Sequence, residues 1–226
     1  MKKYICELVG TLLLVLLGCL AAVYVKTSPE ITVALVFGLV IVVLAYVFGP
    51  LSGCHLNPAV TIAMLINKRI SFKDSIFYII NQIIGGIIGS ALVVLIIKFA
   101  TNGDYTAIQN TGLGANSVGG ENAIILGLTV EALLTFVFVS VIMTATGKKG
   151  NSNISGLIIG LTLTLCIIVG FNLTGGSLNP ARSIGPAIFA EGIALEQIWI
   201  FIIGPIIGAI GATIFARFIL GSEDSK

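Results

Sequence analysis

The chain has 226 residues, 57% of them hydrophobic and 10% charged, with a formal net charge of +2. A soluble globule carries charge on about a quarter of its residues, so composition excludes a water-soluble domain and points to a membrane protein. The single histidine and the four cysteines have no metal-ligand spacing, which leaves neither a metal centre nor a disulfide framework to expect.

A spanning helix needs about 20 apolar residues. The first charge-free run, residues 8–25, is entered through Lys2, Lys3 and Glu7. It is long for a signal core and has an acid at its entrance, so it reads as a retained span. The second run covers 31–54 and is followed by Asn57-Pro58-Ala59. The third covers 75–97. Residues 101–120, rich in Gly, Asn and Thr, are expected to form the longest loop. The fourth run, 122–147, contains one acid, Glu131. Residues 151–181 have no charge at all; they supply the fifth span and end in Asn179-Pro180-Ala181. A second exposed loop is expected at 191–196. The sixth run is 197–216, with Trp199 as an interfacial anchor.

The two halves repeat each other. Glu7-x-x-x-Thr11 matches Glu131-x-x-x-Thr135, and Gly38-Leu39 matches Gly160-Leu161. Ser52-Gly53 aligns with Thr174-Gly175, and the two Asn-Pro-Ala copies lie 122 residues apart. Gln82-Ile83-Ile84-Gly85 aligns with Pro205-Ile206-Ile207-Gly208. Each copy crosses the membrane an odd number of times, so the second is inverted, an arrangement that often places a solute site near mid-bilayer. Gly85, Gly89, Gly208 and Ala212 fit close helix packing at four-residue spacing. Cys6, Cys19 and Cys166 read as small apolar packing residues.

Asn is a good N-cap and Pro suits the first helical position. Each tripeptide therefore predicts an extended segment (49–56 and 171–178), a cap, and a short helix (58–67 and 180–189). Such helices are about 15 Å long, half a bilayer. Entering from opposite faces, they would meet tip to tip, and each N-terminus carries about half a positive charge. That field opposes cations, while the Asn57 and Asn179 amides offer donors to a water and interrupt a proton wire. Six spans put both termini on one side. That side receives nine of the twelve Lys and Arg residues: Lys2, Lys3, Lys68, Arg69, Lys73, Lys148, Lys149, Arg217 and Lys226. The other side receives Lys26, Lys98 and Arg182. The bias predicts cytoplasmic termini. Arg182 is the only charge between Asn151 and Glu191, and an arginine inside a membrane segment is a functional candidate.

The stretches Ser52-Gly53-Cys54-His55-Leu56-Asn57-Pro58-Ala59-Val60-Thr61 and Thr174-Gly175-Gly176-Ser177-Leu178-Asn179-Pro180-Ala181-Arg182-Ser183 resemble the aquaporin, or major intrinsic protein, family. The resemblance covers the whole chain. It implies an all-α membrane protein of six transmembrane helices plus two re-entrant half-helices in an inverted repeat. It implies one channel domain over 1–226, with repeats at approximately 1–100 and 122–220. A homotetramer with one pore per subunit is implied, in membrane lipid, with neither cofactor nor nucleic-acid partner. The implied activity is passive conduction of water and small neutral solutes such as glycerol and ammonia, with ions and protons excluded. Aquaporin-type pores use an arginine and half-helix dipoles as the electrostatic barrier.

By the same resemblance, Asn57, Pro58, Ala59, Asn179, Pro180 and Ala181 form the central constriction. Glu7, Glu131 and His55 support the loops. Phe37, Ile167, Gly176 and Arg182 fall on the four outer filter positions. Cys54, three residues before Asn57, reads either as a thiol facing the lumen or as a small residue fitting a tight loop. Strict water channels usually carry His where this chain has Ile167, so the filter should be wider and one wall greasy. Ser183 and Ala187 lean the other way, toward the water pattern. The pattern resembles mixed-selectivity members, and a glycerol facilitator with water secondary is the alternative. A prokaryotic plasma membrane is expected. Two rivals come from other classes: a secondary transporter, which also uses inverted repeats and broken helices, and an intramembrane hydrolase using His55 with Ser52 or Ser177. The second lacks a metal set and a Gly-x-Ser-x-Gly motif, and no enzyme activity is expected.

Overall fold

The computed structural model describes residues 1–148 and 150–219. Lys149 and Lys226, counted above toward the terminal face, and Leu220, at the end of the second repeat, lie outside these residues. Among the described residues, six helices are long and apolar enough to cross a membrane: α1 (Lys2–Tyr24), α2 (Pro29–Ser52), α4 (Phe72–Ala100), α6 (Ala123–Ala145), α7 (Ser152–Thr174) and α10 (Ile200–Phe218). Two shorter ones, α3 (Pro58–Ile66) and α8 (Pro180–Ala190), follow the Asn caps. At 9 and 11 residues they are half-bilayer rods. The remaining pieces are α5 (Tyr105–Asn110), a 3₁₀ turn at Gly112–Gly114 and α9 (Gly192–Glu196).

The packing follows the inverted repeat. α1 lies on α4, α6 on α10, and α2 meets α7 between the repeats. Each half-helix crosses over: α8 packs on α4 of the first repeat, and α3 on α10 of the second. Small residues make these approaches possible. A Cβ on Gly38 would stand 2.6 Å from the Gly160 carbonyl, and one on Gly160 would stand 2.5 Å from that of Gly38. The matched glycines thus meet each other where α2 crosses α7. A Cβ on Gly89 would sit 2.6 Å from the Leu12 carbonyl, and Gly85 and Gly208 press on the Leu8 and Ala132 carbonyls in the same way. The outward faces stay apolar, with Leu39, Val43, Leu161 and Leu165 all exposed, as lipid contact requires.

Three expectations change. The segments before the caps are shorter than 49–56 and 171–178, because α2 runs to Ser52 and α7 to Thr174. Continuing the helix keeps backbone groups bonded in a low-dielectric setting until a glycine can end it. Gly53 (φ 84°) and Gly175 (φ 79°) do so as left-handed C-caps, their N–H groups bonded to Gly49 and Phe171 carbonyls. The half-helix ends shift slightly, to Ile66, with Asn67 as the C-cap, and to Ala190. Finally, residues 101–120 hold α5 and the 3₁₀ turn, and 191–196 hold α9, so neither is a plain loop.

Candidate functional site

Two carboxylates hold the two non-helical segments. Glu7 is fully buried on α1. Its Oε1 accepts from Ser52 Oγ (2.7 Å) and the His55 N–H (3.0 Å). Its Oε2 accepts from the Leu56 N–H and from Gln82 Nε2, both at 2.7 Å. Glu131, equally buried on α6, repeats the scheme. It accepts from Thr174 Oγ1 (2.7 Å), the Ser177 N–H (3.0 Å) and the Leu178 N–H (2.8 Å). A buried carboxylate is stable only with such donors. Both are engaged by loop N–H groups and neighbouring side chains, so among the described residues neither buried acid is free for ion coupling of the transporter kind.

The carboxylates enforce a strained backbone. Leu56 (φ 49°) and Leu178 (φ 56°) sit in the left-handed region, which costs a residue with a side chain about 1–2 kcal/mol. Cys54 (φ 51°) and Gly176 (φ 58°) form a second matched pair. This turn aims the Leu56 and Leu178 carbonyls across the repeat axis. Asn57 Nδ2 donates to Leu178 O and Asn179 Nδ2 donates to Leu56 O, each at 2.8 Å. Meanwhile Asn57 Oδ1 caps α3 through the Ala59 N–H (2.8 Å). Asn179 Oδ1 caps α8 through those of Ala181 (3.0 Å) and Arg182 (3.3 Å). Each amide nitrogen carries two hydrogens. One makes the cross-bond, and the second remains for a molecule in the passage. The tips of the two half-helices are therefore locked together.

A narrow cavity of about 20 Å³ passes this point. A single water needs about 10–15 Å³, so the cavity has room for about one water at a time. His55, Asn57, Ser177, Asn179 and Arg182 supply polar side chains to its lining, and Leu14, Phe37, Leu163 and Ile167 part of its apolar lining. A second cavity of about 700 Å³ opens on the face carrying the N-terminus, among Lys3, Tyr46, Arg69 and Asp74. Ile41, His55 and Phe138 line both, and mark the junction. His55 Nδ1 meets Thr61 Oγ1 at 3.1 Å rather than Ser52 or Ser177, so the serine–histidine pairing a hydrolase needs is not formed. Cys54 is half-buried and lines the large cavity, whereas Cys6, Cys19 and Cys166 are buried.

Arg182 is 5% exposed. One guanidinium nitrogen donates to the Gly114 carbonyl at 2.8 Å, and the group lies 4.9 Å over the Phe37 ring. Its Nε has no partner among the described residues. Phe37, Ile167 and Arg182 converge on the narrow cavity; Gly176 is not among its lining residues, and a Cβ there would stand 3.0 Å from the Ile167 Cα.

Residues 1–215 match the family model described as major intrinsic protein. The chain belongs to the major intrinsic protein family. It is 48% identical to the "Glycerol uptake facilitator protein-like 6" of Lactiplantibacillus plantarum, over 99% of this chain and 100% of that protein. It is 38% identical to the Aquaporin Z of Rhodopseudomonas palustris, over 92% of this chain and 89% of the relative. A second Aquaporin Z, from Bradyrhizobium diazoefficiens, is also 38% identical, with 95% and 92% covered. Among solved structures, the aquaglyceroporin of Plasmodium falciparum superposes with a TM-score of 0.80 at 21% identity, covering 97% of this chain and 96% of that one. That likeness speaks to the fold. As a major intrinsic protein with six apolar helices, the chain is an integral, multi-pass membrane channel.

Several residues that support the site in this major intrinsic protein were not legible as such. Gly114 and Asn116 come from residues that composition marks only as a connector. Thr61, Gln82 and Ser183 are bonded into the loop supports, and the recurrence of a hydroxyl four residues after each Asn was the available signal.

Proposed function

We propose that this chain is a passive pore for water and small neutral solutes, glycerol and ammonia included, which moves them unchanged and bars ions and protons. The observation that carries the reading is the reciprocal pair of Asn–carbonyl bonds beside a cavity with room for about one water. Two half-helix N-termini and two amide donors converge there, next to Arg182. Positive potential repels cations, and donor-only groups turn a water's hydrogens away from the constriction on both sides.

Phe37, Ile167, Gly176 and Arg182 act as the outer filter, with Arg182 as the donor and Ile167 as the apolar wall. Asn57-Pro58-Ala59 and Asn179-Pro180-Ala181 form the central constriction, and Glu7, Glu131 and His55 hold its loops. The termini lie in the cytoplasm of a prokaryotic cell, and four subunits assemble with one pore each. A facilitator that carries glycerol first and water second is the other reading. It is favoured by Ile167, where an imidazole would narrow the passage, and by the 48% identity to a glycerol facilitator-like protein.

Stopped-flow swelling of proteoliposomes with water, glycerol and ammonia tests this in the wild type and Ile167→His. The wild type passes glycerol, and Ile167→His passes water with glycerol flux reduced about tenfold or more, the order expected when a bulky polar group blocks a fitted site. If the wild type excludes glycerol and ammonia, the wide-filter reading is wrong.

A further inference from the structure

Asn116 lies on a connector, yet it is 2% exposed and bonded at both ends of its side chain. Its Oδ1 accepts from Ser183 Oγ at 2.8 Å, and its Nδ2 donates to the Thr174 carbonyl at 3.1 Å. Ser183 follows Arg182 on α8, and Thr174 ends α7. A serine hydroxyl has one hydrogen. Ser183 gives its hydrogen to Asn116, so in the short Ser177–Ser183 contact the donor is Ser177 Oγ, whose one hydrogen is shared between Ser183 and the Asn179 carbonyl at 3.1 Å. Ser177 Oγ in turn accepts the Asn179 N–H at 3.2 Å. One polar chain thus runs from Asn179 through Ser177, Ser183 and Asn116 to Thr174, whose hydroxyl reaches Glu131.

The other repeat does this differently. Thr61 occupies the place of Ser183, four residues after its Asn, and it receives Gln82 Nε2 at 2.9 Å from α4. Pro205 stands where Gln82 would recur, and it brings no side-chain donor or acceptor. Asn116 supplies from outside the repeat the partner that α10 lacks. The same connector also grips Arg182 through the Gly114 carbonyl and is pinned by Gln197, whose amide pairs with both the N–H (2.8 Å) and the carbonyl (2.9 Å) of Val118.

We infer that Asn116 is a positioning residue for solute selectivity, clamping α8 to the end of α7 so that Arg182 faces Phe37 and Ile167 across the narrow cavity. Without the clamp, the 175–179 segment relaxes and the passage widens toward the larger solute. The inference rests on the channel reading above, and wild-type water flux tests that reading by itself.

The test is the glycerol-to-water permeability ratio of Asn116→Ala, Ser183→Ala and the double variant in proteoliposomes. Each single variant is expected to raise the ratio about three- to tenfold, the factor one lost buried hydrogen bond represents. The double variant should exceed neither, because both break the same link. An Asn116→Ala channel that conducts water with the wild-type ratio overturns the inference, and so do additive effects in the double variant. If Asn116→Ala fails to assemble, Ser183→Ala, which removes one hydroxyl, decides: a wild-type ratio there overturns it.

Discussion

Glu7 and Glu131 do the same work with unequal resources. Both turn a buried charge toward the N–H groups of a loop that contains a left-handed leucine. Glu7 has a fourth donor, Gln82, which Glu131 lacks. Replacing either by Gln turns an acceptor oxygen into an NH₂ facing a donor, so both variants should unfold earlier on heating in detergent. Glu7→Gln should be the worse by about 1.5–3 kcal/mol, one hydrogen bond to a charge. Equal losses would mean that Gln82 contributes nothing to the cradle. Cys54 offers a second test at this scale. Its thiol opens on the large cavity beside the His55 junction, while the other three are buried. A mercurial should therefore slow water flux through the wild type, reversibly with added thiol, and leave Cys54→Ser unaffected. Equal sensitivity of the two proteins would place the reactive thiol elsewhere.

Helices in this fold approach through glycine, and the α2–α7 crossing shows how little room remains. A side chain at Gly160 would meet the Gly38 carbonyl and the Val42 side chain. Gly160→Val should lower stability by about 1–3 kcal/mol, the usual cost of overpacking, read as a lower melting temperature in detergent. No change would mean the crossing is looser than drawn. The elements themselves were largely legible in the sequence. Charge-free runs mark the six spans, and Asn before Pro marks the start of both half-helices, because cap and proline chemistry is local. The ends of α2 and α7 were not legible in the same way. An apolar run does not say where its helix stops, and the stops depend on Gly53 and Gly175 entering the left-handed region. Asn116 was still harder to see. Its importance comes from a missing partner on α10, and that is a three-dimensional fact.

At the scale of the molecule, inversion turns two ordinary helix starts into one barrier. Each half-helix packs on the other repeat, so neither half closes a pore alone. The Asn57–Leu178 and Asn179–Leu56 bonds make the two loops one unit. On the proposed reading, the result is a passage polar enough to hold water and positive enough to refuse a proton. The most direct test reads osmotic swelling and an internal pH dye together in the same proteoliposomes, under an imposed pH gradient. Rapid water flux with a low activation energy and no internal acidification above that of empty vesicles is the predicted result. Acidification that rises with the amount of protein inserted would contradict it.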